Sequence, residues 1–405
     1  MASPLKGRAV IGQSGGPTAV INQSLVGAVE ECLRHDEAIT SVYGARHGIQ
    51  GILDQDMIDL GRESFSTLER VAATPSSGLG SVRLKPTKED CNRIFEIFRA
   101  HDVRYFFYIG GNDSAETAHI IAELARESDY EFRVAHIPKT IDNDLRVTDH
   151  CPGFGSAARF VSLAFRGDDL DNRAIHGVKI NIVMGRHAGF LTAAAAIGRR
   201  RDDDGPHLVY VPEVPFEIDS FLGDVDAVVK RLGRCVVAVS EGVASADGKP
   251  VFTTGELDSH GNIQLSGSGG LGDFLSAQVK VRLGVKRVRA DTFGYLQRSF
   301  PGEISEVDAR EAREVGVRAV RAMVSGEAPS GSIAMRRLQD DDYEIDYFLT
   351  ELSNVARDTR SVPPEYLNEA GNDVTRAFLD YATPLVGKLP RIGFLEGHPV
   401  PKIDI

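Results

Sequence analysis

The sequence predicts an α/β protein whose sheets are mostly parallel and covered by helices on both faces. Three observations predict it. Short apolar, β-branched or aromatic runs alternate with amphipathic stretches, the βαβ signature. Several of these runs pass directly into turns rich in Gly or Asp, as strands of a doubly wound sheet do. A chain of 405 residues, 42% hydrophobic and 26% charged, has the size of two or three domains with substantial cores. No internal repeat and no low-complexity tract compete with this reading.

The elements follow in order. Residues 8–11 read as a first strand and 19–34 as the helix after it. Residues 104–109 (Arg-Tyr-Phe-Phe-Tyr-Ile) are strand-like, followed by a helix over 114–126. Strands are expected at 133–137, 178–184 and 236–239. Segments 199–205 (Arg-Arg-Arg-Asp-Asp-Asp-Gly) and 255–272 read as exposed loops, the first as a solvated loop in preference to a binding patch.

Composition removes several classes of function. The 46 basic and 58 acidic side chains give a net charge of −12, which argues against a nucleic-acid partner needing a basic face. It leaves small anions open, since a few local donors hold those. No apolar stretch reaches the roughly 18 residues of a spanning helix, so no membrane partner is expected. The first residues lack an apolar core of a secretory signal, and Cys32, Cys91, Cys151 and Cys235 lie far apart without a CxxC pair. Reduced core thiols and a cytoplasmic location are the expectation.

Five strand-end turns carry the chemistry. The first, 12–18 (Gly-Gln-Ser-Gly-Gly-Pro-Thr), lets backbone approach an anion at a helix N-terminus, although a plain tight turn explains it equally well. The second, 110–114 (Gly-Gly-Asn-Asp-Ser), offers Asn112 and Asp113 as oxygen ligands for Mg2+ or partners for phosphate; Asp113 or Ser114 capping the next helix is the alternative. The third, 138–144 (Pro-Lys-Thr-Ile-Asp-Asn-Asp), is the informative one. An Asp beside Lys139 is expected to stay ionised and act as a base towards a hydroxyl, while a second Asp holds a magnesium ion. The fourth, 184–189 (Met-Gly-Arg-His-Ala-Gly), presents Arg186 as a planar fork to phosphate or sugar oxygens. The fifth, 294–298 (Gly-Tyr-Leu-Gln-Arg), together with Arg289, is expected to bring two arginines to one face as a phosphate-monoester clamp.

Taken together, the five turns resemble those of the phosphofructokinase family, in family order over residues 8–310. The resemblance implies two Rossmann-like αβα lobes with mostly parallel sheets and the active site between them. It implies a donor lobe of residues 1–150 plus about 297–350, and a sugar-phosphate lobe of 151–296 plus about 351–405 with a C-terminal extension. Asp142 matches the family's catalytic base, acting on the 1-hydroxyl of fructose 6-phosphate. Thr140 and Asp144 share its loop, near the transferring group and the metal. Gly15 and Gly16 match the phosphoryl-donor glycines. Met184, Gly185 and Arg186, with His187 beside them, match the segment gripping the sugar. Glu241, in Ser-Glu-Gly, aligns with the sugar-binding glutamate. Arg289, Tyr295 and Arg298 match the 6-phosphate site.

The donor is read from two positions. ATP-dependent members typically carry glycine where this chain has Asp113 and again where it has Lys139. A carboxylate at 113 repels a nucleotide's α-phosphate, and Lys139 neutralises charge on pyrophosphate. Both resemble the pyrophosphate-dependent branch, as does Tyr295 in place of a common histidine. Two departures stand out: Asn112 replaces a frequent magnesium-binding Asp, and Gly177, with Lys179 nearby, occupies the place of an arginine that reaches across a subunit interface. The resemblance implies Mg2+ as cofactor, pyrophosphate and fructose 6-phosphate as partners, a homodimer with a tetramer as alternative, and no strong allosteric control. An ATP-dependent enzyme is the runner-up; a catalytically silent sugar-phosphate-binding subunit is the reading from another class.

Overall fold

The structure is a computed structural model that describes residues 5–128, 130–253, 269–338, 342–356 and 358–403. The chain runs β1 (Gly7–Gln13), α1 (Ile21–Arg34), β2 (Ile39–Ala45), α2 (Ile49–Leu53), β3 (Met57–Asp59), α3 (Phe65–Ala72), α4 (Lys88–Ala100), β4 (Val103–Gly110), α5 (Asn112–Arg126) and β5 (Arg133–Pro138). It continues through α6 (Phe154–Ala174), β6 (Val178–Val183), α7 (Phe190–Ala193), β7 (Leu208–Tyr210), α8 (Ile218–Leu232), β8 (Cys235–Ser240), α9 (Gly270–Leu283), β9 (Val288–Thr292), α10 (Glu306–Ser325), β10 (Ser330–Arg337), β11 (Ile345–Thr350) and α11 (Arg376–Val386).

These strands form two sheets. The larger has the order β11-β10-β5-β4-β1-β2-β3, parallel throughout except for antiparallel β3 and β11 at its edges. The smaller, β7-β8-β6-β9, is wholly parallel. β4 is buried along almost its whole length, as a central parallel strand covered on both faces must be. Each sheet carries an apolar core on either face. In the larger, α1, α3 and α10 cover one side, while α2, α4 and α5 cover the other. The expected Rossmann-like pair of lobes is what the chain forms. Among the described residues no helix is long and apolar enough to cross a membrane.

One loop expectation needs correction and another a refinement. Gly270 opens α9, so the predicted loop 255–272 ends before its stated limit; residues 254–268 lie outside the described ones. Segment 199–205 is a loop with Arg200, Arg201 and Asp202 exposed, as expected, but ion pairs hold the rest of it. Arg199 makes two bonds to Asp373 (2.9 and 2.5 Å), and Arg173 binds Asp203 (2.5 Å) and Asp204 (2.7 Å). Those partners are distant in sequence, so charge patterning alone reads the stretch as solvated.

A buried carboxylate ties α10, packed on the larger sheet, to α6, packed on the smaller. Asp308, near the start of α10, is buried and accepts bonds from the Gly153 and Ser156 amides and from Ser156 Oγ at the start of α6. A carboxylate there satisfies amides that the helix cannot bond internally.

Candidate active site

Residues just beyond the carboxyl ends of β1, β4 and β5 in the large sheet, and of β6 and β8 in the small one, line one cleft of about 670 Å³. After β1, Ser14 N–H bonds Ile109 O (2.9 Å) and Gly15 N–H bonds Val82 O (3.1 Å). Gly15 has φ of 73°, and a Cβ there would stand 3.3 Å from Lys139 Nζ; one on Gly16 would stand 3.1 Å from Arg298 Cζ. Glycine at both positions therefore leaves room for cations to face bare backbone.

After β4, α5 begins at Asn112, and Gly111 is its N-cap without a side-chain bond. The capping alternative for Asp113 or Ser114 therefore falls away. Ser114 Oγ meets Ser14 Oγ instead (2.8 Å), joining the first two turns, while Asp113 is exposed in the cleft wall.

After β5 comes Lys139, 3% exposed, whose backbone N–H bonds Gly110 O (2.9 Å) and whose Nζ donates to Gly16 O (2.7 Å). Burial first, then the neighbouring Arg298 charge, pull the Lys139 pKa down to about 7. Thr140 Oγ1 accepts from the Asp142 amide (3.1 Å), and Asp142 Oδ1 is buried with no hydrogen-bond partner among the described residues. Burial pushes Asp142 above the ordinary carboxylate range although Arg298, Lys139, His187 and Arg186 all pull the other way. Asp144 is pushed up to about 7, by burial and by the charge of Asp142. Lys139 lowers Asp142, as its place in the loop predicts, but desolvation, which sequence adjacency does not report, outweighs it. Asp142 and Asp144 titrate as a pair, both raised by burial.

On the opposite wall stand Met184, Arg186 and His187 after β6 and Glu241 after β8. His187 is pulled below its ordinary value by burial and by Arg186. Tyr295 and Arg298 complete the cleft, the Arg298 guanidinium 4.5 Å from the Tyr295 ring. Burial and Arg83 pull Arg298 below its ordinary value.

Two predicted residues are not brought to this surface. Gly185 has φ of 143° and accepts from Ser240 Oγ (2.6 Å); a Cβ would lie 2.5 Å from Ala188 O, so it shapes the turn and leaves the contact to its neighbours. Arg289 lies on edge strand β9, exposed, with Nη1 bonded to Val288 O (3.0 Å). The two-arginine clamp does not form within one chain: Arg298 lines the cleft and Arg289 does not.

Other cleft residues escaped the sequence reading. Arg83 and Lys85 arrive on an extended segment that ends at the Thr87–Asp90 capping box of α4. No strand precedes it, so nothing local marks it. Lys85 pairs with Glu116 at 3.0 Å, one turn along α5 from Asp113. From the C-terminal region, Arg360 bonds Asn143 O through Nε and Thr148 O through Nη1 (both 2.8 Å), and its amide bonds Asp144 O (2.8 Å). Tyr381 of α11 accepts from Asn143 Nδ2 and donates to Asp149 O (both 2.8 Å). Asn143, at φ of 59°, is thereby fixed between two aspartates whose loop is braced by a distant segment.

Asp144, Asn112 and the Thr140 hydroxyl offer oxygen donors in the cleft. Among the described residues no group of three or more His, Cys, Asp or Glu could hold a metal ion unaided. The all-oxygen set of Asp144, Asn112 and Thr140 fits Mg2+, which takes one or two protein oxygens and fills its shell with water and phosphate oxygens. Burial strips solvent from the Asp142–Asp144 pair, and Asp142 Oδ1 is left without a hydrogen-bond partner among the described residues.

A profile of the family described as Phosphofructokinase matches residues 8–323. A Rhodospirillum rubrum protein named pyrophosphate–fructose 6-phosphate 1-phosphotransferase is 53% identical over 403 residues, 98% of this chain and 99% of that one. The crystal structure of a pyrophosphate-dependent phosphofructokinase from Marinobacter aquaeolei superposes with a TM-score of 0.84 at 33% identity, covering 97% of this chain and 95% of that one. A second, from Nitrosospira multiformis, gives 0.85 at the same identity and coverage. The motifs, the paired sheets and the cleft between them agree with these likenesses, and the chain belongs to the phosphofructokinase family.

Proposed function

We propose that the protein catalyses reversible phosphoryl transfer from pyrophosphate to the 1-hydroxyl of fructose 6-phosphate, giving fructose 1,6-bisphosphate and phosphate. The observation that carries this reading is the placement of Asp113 and Lys139 in one cleft, with Lys139 buried against Gly16 O. A carboxylate in the wall opposes the longer charged chain of a nucleotide, while a buried ammonium beside the glycine turn answers the compact charge of pyrophosphate. The R. rubrum relative and both superposed enzymes, each named for pyrophosphate, support the same donor.

Asp142 orients and deprotonates the 1-hydroxyl for in-line attack; a raised proton affinity suits a base working near neutrality. Gly15 and Gly16 hold the donor by backbone, and Lys139 stabilises charge on the transferring group. Asp144 and Asn112 would hold Mg2+, which would further neutralise the phosphoryl oxygens. Met184, Arg186, His187 and Glu241 face the sugar, while Tyr295 and Arg298 take its 6-phosphate with Arg298 also reaching Gly16. Splitting pyrophosphate and hydrolysing a sugar 1-phosphate release comparable energy, so both directions are open.

We assign residues 1–150 and about 297–350 to the donor lobe and 151–296 and about 351–405 to the sugar lobe. Arg289, exposed on an edge strand outside its own cleft, is kept for the sugar phosphate of a second copy in a homodimer. Purified protein assayed with pyrophosphate and separately with ATP tests the donor. Turnover with pyrophosphate and none with ATP is expected; the reverse sinks the assignment. Absence of both favours a silent sugar-phosphate-binding subunit, although Asp142 and Arg298 are in place.

A further inference from the structure

Away from the active-site cleft, and sharing no lining residue with it, lies a second cleft of about 580 Å³. Its walls are α6, the 198–205 segment and the chain that follows α11. Arg166 of α6 lines it and is 7% exposed, yet its Nη1 is buried without a hydrogen-bond partner among the described residues. A guanidinium stays charged and carries five donors, so leaving one dry is costly unless something accepts from it.

The walls do not supply the acceptor. Asp169 is committed to Arg173 and Arg234, and Asp204 to Arg173 and the amides of Arg200 and Arg201. Three further cations line the cleft: Arg200, Lys388 and Arg391. Burial and the adjacent Arg200 charge pull Arg166 below its ordinary value, with Asp204 opposing, so two like charges share this space. Beside them the surface turns apolar. Leu389 is buried, Ile392 and Phe394 are 36% and 46% exposed, and the Arg201 guanidinium fixes the Phe394 ring from 3.9 Å.

We propose that this cleft binds a small amphipathic oxyanion, its carboxylate or phosphate held by Arg166 and Arg200 and its apolar body laid against Leu389, Ile392 and Phe394. Cationic and apolar groups in this arrangement match such a molecule and no part of the reaction in the other cleft.

The test titrates 8-anilinonaphthalene-1-sulfonate, a sulfonate on an aromatic body, into the full-length protein with fructose 6-phosphate and Mg2+ saturating the active-site cleft. One saturable site per chain is expected by fluorescence. Arg166→Met should weaken it by about tenfold, leaving turnover with pyrophosphate within about twofold of wild type. Arg200→Ser, at an exposed position that does not threaten folding, should weaken it severalfold. Displacement by octanoate assigns a carboxylate ligand, and displacement by inorganic phosphate a phosphorylated one. Binding that does not saturate, that survives both substitutions, or that neither anion displaces overturns the proposal.

Discussion

Replacing Lys139 by Met should change the shape of the pH–rate profile and not only its height. Productive free enzyme needs Asp142 ionised and Lys139 protonated. Burial raises the aspartate and pulls Lys139 down to about 7, so the two requirements approach each other. With the alkaline limb at about 7, only about a tenth of molecules keep a protonated Lys139 one pH unit higher. The profile of kcat/KM for pyrophosphate therefore falls on the alkaline side of neutrality. Lys139→Met removes the alkaline limb, leaving a curve that rises with pH to a plateau. The plateau should lie about 10- to 100-fold below the wild-type maximum, as expected for losing charge-assisted donors worth about 1.5–3 kcal/mol. The assay is initial-rate kinetics at fixed free Mg2+, with wild type and variant on identical substrate so that the titration of pyrophosphate itself cancels in their ratio. A variant that keeps the alkaline limb at the same pH refutes the role given to Lys139.

Three further outcomes are expected. Asp142→Asn keeps shape and removes proton affinity, so turnover should fall about 10³-fold or more while the equilibrium dissociation constant for fructose 6-phosphate changes little; near-normal turnover counts against Asp142 as base. Arg360→Gln strips donors from the carbonyls of Asn143 and Thr148, leaving buried acceptors unpaired. A stability loss of about 2–4 kcal/mol in urea unfolding is expected together with a drop in kcat larger than any change in KM, and a stability loss with kcat intact would separate Arg360 from the catalytic loop. His150 is buried between Asp149 (2.8 Å) and Glu311 (2.7 Å), which raise its pKa against desolvation. A raised folded value contributes stability that is fully present below the ordinary histidine value of about 6.5 and is lost as pH climbs through the folded one. The thermal midpoint of wild type should therefore fall on that climb relative to His150→Gln, and parallel curves would contradict it.

Much of the fold was legible because its signals are local. Val103–Gly110 is apolar enough to be a central strand under any tertiary arrangement, and the Gly-rich ends of β1 and β4 mark turns whatever follows them. The order of turns at residues 12, 110, 138, 184 and 294 carried the family, and all five contribute to one cleft. What was not legible depended on partners far along the chain. Arg83 sits in an extended segment without a strand to announce it, and Arg360 acts on Asn143 across 217 positions. Arg289 was expected beside Arg298 because the two are close in sequence, but strand alternation and an edge position send it outward. The 199–205 stretch looked solvated because Asp373 and Arg173, its partners, lie elsewhere in sequence.

By itself the sequence determined which chemical groups exist and which short stretches of backbone can carry them: glycines where an anion meets bare amides, a lysine and two aspartates in one turn, a net charge of −12 that disfavours polyanions. Only the tertiary structure decided how those groups behave. It buried Lys139 against Gly16 and enclosed Asp142 and Asp144 together, and so moved a lysine and a carboxylate from opposite ends of the pH scale to about 7. The physical reason is that bond connectivity fixes the identity and spacing of neighbours along a chain. Desolvation and Coulomb effects depend on distance through space and on how much water is excluded, and these exist only once the chain has folded around the cleft.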